Sequence, residues 1–94
     1  MKRKRVARSA SYRADLDVIE TYVAQDNPHA ATELWLLIDE QVDQLADPNF
    51  PRRKGRVSGT KELVAHESYI VILLEDANTV TAINVVHARQ QRPR

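Results

Sequence analysis

The sequence predicts an α+β fold of order β-α-α-β-β-β, an antiparallel sheet with an N-terminal helical hairpin packed on one face. Three observations predict it. Apolar residues recur at helical spacing between Ser11 and Ala46 and give way to short β-rich runs after Thr60. Asn27-Pro28 divides the helical half in two, and a stretch bounded by proline and glycine, Pro51 to Gly59, separates the two periodicities. With 94 residues the chain has room for one core, so a single domain spanning 1–94 is expected.

The first helix is predicted over Ser11 to Gln25, because Tyr12, Leu16, Ile19 and Val23 fall on one face of a 3.6-residue period. Ser11 is its expected N-cap, and Asp15 and Asp17 suit the positive end of the dipole. Asn27 then caps a second helix with Pro28 in its first turn, where a missing N–H costs nothing. Ala31, Leu34, Trp35, Ile38, Val42 and Leu45 form its apolar stripe, and Pro48 stops it near Ala46. The short link makes the pair antiparallel. Lys61 to Ala65, Tyr69 to Glu75 and Thr79 to His87 read as strands, with breaks at Glu67-Ser68 and Asp76-Ala77-Asn78. Tyr69 to Leu74 is apolar on both faces and belongs in the middle of the sheet. Arg5 to Ser9 is a candidate strand ahead of the first helix.

Composition removes whole classes of chemistry. There is no cysteine, which excludes disulfides, thiolate nucleophiles and sulfur-ligated metals and fits a reducing compartment. Two glycines are too few for a phosphate-cradling loop. The start, Met1-Lys2-Arg3-Lys4-Arg5, looks like the head of an export signal, but Arg8 interrupts the apolar run that should follow. Ile70 to Leu74 is among the longest apolar runs, far below the roughly 20 residues of a membrane span. A cytoplasmic protein without membrane partner, cofactor or metal is expected.

The charges are sorted along the chain. Residues 1–13 carry six Lys/Arg and no acid, residues 14–51 nine Asp/Glu and no base, and residues 52–94 eight bases against four acids, with a net charge of +1 overall. Two differently charged surfaces are implied. Arg52, Arg53, Lys54 and Arg56 crowd a loop, where they are either solvated or in contact with phosphate or an acidic partner. His87, at the end of the last strand, is the lone acid/base candidate; it serves equally as a cap on the sheet, bonded to backbone or Glu62. Leu36 points among Glu33, Asp39, Glu40 and Asp43, and Leu37 flanks the buried stripe; both are either ordinary exposed leucines or part of a partner groove. The few aromatics do not interleave with bases on the strands, which argues against a general single-strand binder.

Gly59-Thr60-Lys61-Glu62-Leu63-Val64, Tyr69-Ile70-Val71, Val85-Val86-His87-Ala88-Arg89-Gln90 and the closing Arg92-Pro93 together resemble the ParE/RelE family of bacterial toxins from type II toxin–antitoxin modules. Asp15-Leu16, Ile19, Tyr22-Val23-Ala24 and Asn27-Pro28 extend the resemblance over nearly the whole chain. It implies one of two activities on one fold: inhibition of DNA gyrase, or cleavage of messenger RNA in the ribosome. The ribonuclease branch carries an arginine after the strand tyrosine and a tyrosine in the C-terminal tail. Here those places hold Ile70 and Gln90-Gln91-Arg92-Pro93-Arg94, so the ending looks more like the ParE branch.

The resemblance therefore implies a gyrase-inhibiting toxin that is not an enzyme. Its target contacts would be Lys61, Arg89, Arg52, Arg53, Lys54 and Arg56. Leu36 and Leu37 would meet a cognate antitoxin of the ribbon-helix-helix kind in a toxin–antitoxin hetero-oligomer. The alternative is a ribosome-dependent messenger RNA endoribonuclease using Lys61, His87 and Arg89. A non-toxic binding partner or regulator is a third class.

Overall fold

The structure, a computed structural model, describes residues 2–91. Strand β1 (Arg5–Arg8) leads into helices α1 (Ala10–Ala24) and α2 (Pro28–Gln44), and strands β2 (Arg53–Lys54), β3 (Lys61–His66), β4 (Tyr69–Glu75) and β5 (Thr79–His87) follow, ending in a 3₁₀ turn over Ala88–Gln91. The sheet order is β1-β5-β4-β3-β2, which puts β4 at the centre as its two-sided apolar pattern demands.

The N-cap of α1 is Ser9 rather than Ser11. The Ser9 backbone N–H donates to Ala82 O and its hydroxyl to Ile83 O, so β5 holds the residue extended while its Oγ accepts from Tyr12 N at 3.0 Å. Two serines two positions apart are equal candidates until β5 selects one. Asn27 caps α2 as its side-chain oxygen accepts from Ala30 N at 3.1 Å. Val23 O accepts from the N–H groups of both Asp26 and Asn27, closing the hairpin between the helices.

All neighbouring strands are antiparallel except β1 and β5, which run parallel with Val6 opposite Val80. The predicted loop from Pro51 to Gly59 contains β2, a two-residue strand whose Arg53 faces Glu62 and whose Lys54 faces Lys61. A strand that short and that basic carries no alternation to reveal it. The helical hairpin covers one sheet face: Tyr12 and Leu16 from α1 and Ile38, Val42 and Leu45 meet Leu63, Val71, Leu73, Val80, Ala82 and Val85. Ile19, Leu34 and Trp35 pack at its margin. A polar knot fastens β1 to the helices beside this core. The Tyr12 hydroxyl donates to Asp39 Oδ1 at 2.9 Å, and the Arg8 guanidinium bridges Asp39 and Asp43. Burial and the Asp39 hydrogen bond push the Tyr12 phenol well up.

Candidate functional site: a basic cleft and an aromatic end on one sheet

The sheet carries two chemically different ends. At the first, Arg52, Arg53, Lys54, Thr60, Lys61 and Glu75 line a cleft of about 500 Å³. Glu75 is its floor, with a side chain 5% exposed. Oε2 accepts from Lys4 Nζ at 2.8 Å and Arg52 Nη1 at 2.9 Å. Lys61 Nζ stands 3.3 Å from Oε1, an ion-pair separation without a directed hydrogen bond. Burial alone would raise the Glu75 carboxyl, but Lys4, Lys61 and Arg52 overcome it and hold the group below its ordinary value.

Arg52 is turned inward, its guanidinium held by the protein's own acceptors. Its guanidinium also donates to the carbonyls of Leu45, Asp47 and Phe50, and its side chain is 6% exposed, so it ties the end of α2 to β4. It leaves the set of outward-facing cations. Arg53 is half exposed and donates to Glu62 Oε1 at 2.9 Å; Glu62 is buried, and its second oxygen accepts from Arg56 N. Lys54, Arg56 and Lys61 are exposed, and among the described residues no carboxylate pairs with the Lys54 ammonium.

The turn that presents these cations is tightly built. A Cβ on Gly55 would stand 2.1 Å from Thr60 Oγ1 and 2.9 Å from the Thr60 carbonyl, so only glycine lets the two backbones close. Gly55 N donates to Thr60 O at 2.8 Å, the Thr60 hydroxyl donates to Val57 O, and Gly59 takes a φ of 87°.

At the other end, Tyr69 lies between two histidines in one row across β3, β4 and β5. Ring centroids are 5.9 Å from His66 and 5.3 Å from His87, the latter edge-on. His87 Nδ1 accepts from Arg89 N, and Ala88 N donates to Ser68 O, which closes β5. Glu62, the side-chain partner considered for His87, is bonded to Arg53 instead. Arg89 is exposed just beyond. Arg92, Pro93 and Arg94 lie outside the described residues.

Lys61 is therefore far from His87 and Arg89. Lys61 pairs with Leu73 and His87 with Tyr69, four residues apart on β4 or about 13 Å along the strand, with two strand spacings of about 5 Å each across it. The three residues do not surround one reacting atom.

Leu36 and Leu37 are 46% and 43% exposed on α2. Val18 and Tyr22 on α1 are more so, at 67% and 69%, and sequence reasoning singled out neither as a contact. Their i, i+4 spacing off the buried stripe was the available signal. They border a groove of about 590 Å³ that runs to Tyr69 and His87. Asp15, on the same groove, accepts from Asn84 Nδ2 and Val85 N at 3.0 Å, tying α1 to β5. His29 Nε2 lies 3.5 Å from Glu33 on the exposed side of α2, and no three ligand-type side chains converge among the described residues.

Comparison with known proteins agrees with this architecture. YafQ from Escherichia coli strain BL21(DE3) superposes with a TM-score of 0.57 at 12% identity, covering 93% of this chain and 96% of that one. The chromosomal ParDE toxin–antitoxin system of Pseudomonas aeruginosa contains a chain that superposes with a TM-score of 0.76 at 22% identity, covering 89% of this chain and 95% of that one. Y4kP of Sinorhizobium fredii, which is named as a toxin, is 34% identical over 93 residues, 99% of this chain and 97% of its own. Residues 6–92 match the model of the ParE toxin of the type II toxin–antitoxin system parDE, and the chain belongs to that family.

Proposed function

We propose that this toxin acts by binding rather than by catalysis, holding DNA gyrase on cleaved DNA in the cytoplasm until a cognate ribbon-helix-helix antitoxin removes it. The observation that carries this reading is the separation of Lys61 from His87 and Arg89. Cleavage by a 2′-OH needs a proton acceptor and phosphate-holding cations around the same few atoms, within hydrogen-bond reach. Ile70, where the ribonuclease branch has arginine, is buried between Val64 and Val86 and brings no charge. A poison has looser demands. It must bind the gyrase–DNA intermediate more tightly than the other states of the cycle, and each tenfold preference corresponds to about 1.4 kcal/mol. Two cationic ends on a rigid sheet suit that task, with Arg53, Lys54, Arg56 and Lys61 at one end and Arg89 at the other.

Leu36 and Leu37 are the proposed antitoxin contacts on the helical hairpin, two half-exposed leucines that an amphipathic partner helix would cover. The test has two arms, purified protein with gyrase and supercoiled plasmid, and purified protein with programmed ribosomes. Accumulation of cleaved plasmid supports the proposal. Cleavage of messenger at the ribosomal A site with supercoiling untouched overturns it.

A further inference from the structure

We infer that the cleft at the β2–β3 end contacts the phosphodiester backbone of duplex DNA directly, so that the toxin touches the nucleic acid of the gyrase complex as well as the enzyme. The inference rests on the proposed gyrase reading and names the partner of one of its two cationic ends.

Lys54 and Lys61 are register partners on adjacent antiparallel strands. Directly opposite residues have Cβ atoms about 5 Å apart and point to the same face, and like charges in that position destabilise the pair. The available anion, Glu75, offers Oε1 only to Lys61, while its Oε2 is taken by Lys4 and Arg52. Lys54 is left without a counter-ion among the described residues. Arg53 and Arg56 extend the positive surface, and Glu62 neutralises Arg53 alone. The Gly55–Thr60 closure fixes the turn, so the two ammonium groups are presented on a built scaffold rather than on a solvated run.

An anion seated between Lys54 and Lys61 relieves their repulsion. The cleft lining contains no aromatic side chain. Single-stranded RNA and DNA are gripped largely by stacking bases on aromatic rings, and a lining of cations, a hydroxyl and the Glu75 carboxylate, which Lys4 and Arg52 already neutralise, has no such platform. The chemistry that fits is phosphate without base readout, which is how proteins hold a duplex in register without reading its sequence.

The test is binding of the purified protein to fluorescent duplexes of two unrelated sequences over a salt series. Affinity is expected to be alike for both sequences and to fall with a log–log salt slope of about −2 or steeper. Lys54→Ala and Lys61→Ala should each flatten that slope by about 1, whereas Lys54→Arg should retain it and Arg13→Ala, on α1, should leave it unchanged. Lys54 makes no ion pair among the described residues, so its removal should leave unfolding midpoints in place.

Absence of duplex binding in low salt overturns the inference, as do slopes indifferent to Lys54 and Lys61. Tighter binding to single-stranded RNA, or Lys54-dependent binding to gyrase without DNA, also overturns it in favour of another partner. If the wild-type protein poisons gyrase but neither it nor the Lys54→Ala, Lys61→Ala double variant binds duplex, the DNA contact falls and the gyrase reading stands. Lysine-dependent duplex binding with gyrase unaffected gives the reverse.

Discussion

Arg52 Nη1 lies 2.9 Å from Glu75 Oε2, and both side chains are almost wholly shielded from solvent. The same guanidinium satisfies three backbone carbonyls at the end of α2. Arg52→Ala removes those donors together and leaves Glu75 with only Lys4 and Lys61, so a loss of about 3 kcal/mol in unfolding free energy is expected from urea titration. Arg52→Lys should recover little, since an ammonium cannot reproduce the planar fork that reaches four acceptors. An unfolding midpoint unchanged by Arg52→Ala would show that the hub is incidental.

Glu75 also sets an acid limit. Its folded carboxyl is held below the ordinary value of 4.5, so its contribution is complete above that value and disappears as pH falls through the folded one. Asp76 acts in the same direction because the N–H groups of Asn78 and Thr79 donate to its Oδ1. Stability should therefore decline as pH drops below about 4.5. In Glu75→Gln the decline should be shallower and the neutral-pH stability lower. Urea midpoints measured at intervals between pH 3 and pH 7 give both quantities, and an equal slope in the variant would assign the acid limit elsewhere.

Gly55→Ala should disrupt the turn. The new methyl would meet Thr60 Oγ1 and the Thr60 backbone, and relief requires the β2–β3 connection to open. A loss of about 1–3 kcal/mol is expected, with faster amide exchange at the substituted position and at Glu62. Adding Thr60→Ala should not restore stability, because the carbonyl carbon and oxygen remain 2.9 Å from the added atom. Restoration would identify the hydroxyl as the sole obstacle.

The helices and long strands were legible because their apolar positions repeat within one element. Tyr12, Leu16, Ile38 and Val42 are buried where periodicity put them, and β4 is central because Ile70 and Val71 are both apolar and face opposite ways. What escaped depends on contacts between elements. Ser9 rather than Ser11 caps α1 because β5 holds it, and β2 exists because Lys61 and Glu62 offer it a partner. The cation run Arg52 to Arg56 was visible, but its division into a buried tie, a Glu62 partner and a Lys54 without a counter-ion among the described residues was not, since all of them are basic residues in one loop. The distance between Lys61 and Arg89 follows from strand direction: β3 and β5 both run antiparallel to β4, so the start of one and the end of the other cannot meet.

Leu36→Asp with Leu37→Asp should weaken antitoxin binding by at least about 2 kcal/mol while lowering stability by only about 1–2 kcal/mol, since both leucines are already nearly half exposed and the added charges face Glu33, Asp39 and Glu40. Calorimetric titration against the antitoxin and thermal unfolding give the two numbers. Full binding in this variant, with loss in Val18→Asp and Tyr22→Asp, would move the docking face from α2 to α1. Unfolding of the double variant would mean that the two leucines belong to the core.

Lys61 and Arg89 should act independently on the target. They occupy opposite ends of the sheet, share no hydrogen-bond partner, and Lys61 is tethered to Glu75 while the Arg89 backbone rests on His87. Substitutions more than about 10 Å apart with no shared partners normally add within about 0.5 kcal/mol. Lys61→Ala and Arg89→Ala should each weaken inhibition of gyrase, and the double variant should show the sum of the two losses. Groups that hold one transition state behave differently, because removing either member of a working set already removes most of the effect. A double-mutant cycle on inhibition therefore separates the two arrangements. A coupling energy above about 1 kcal/mol would mean that Lys61 and Arg89 meet the same few atoms of the target, which two ends of a rigid sheet cannot do.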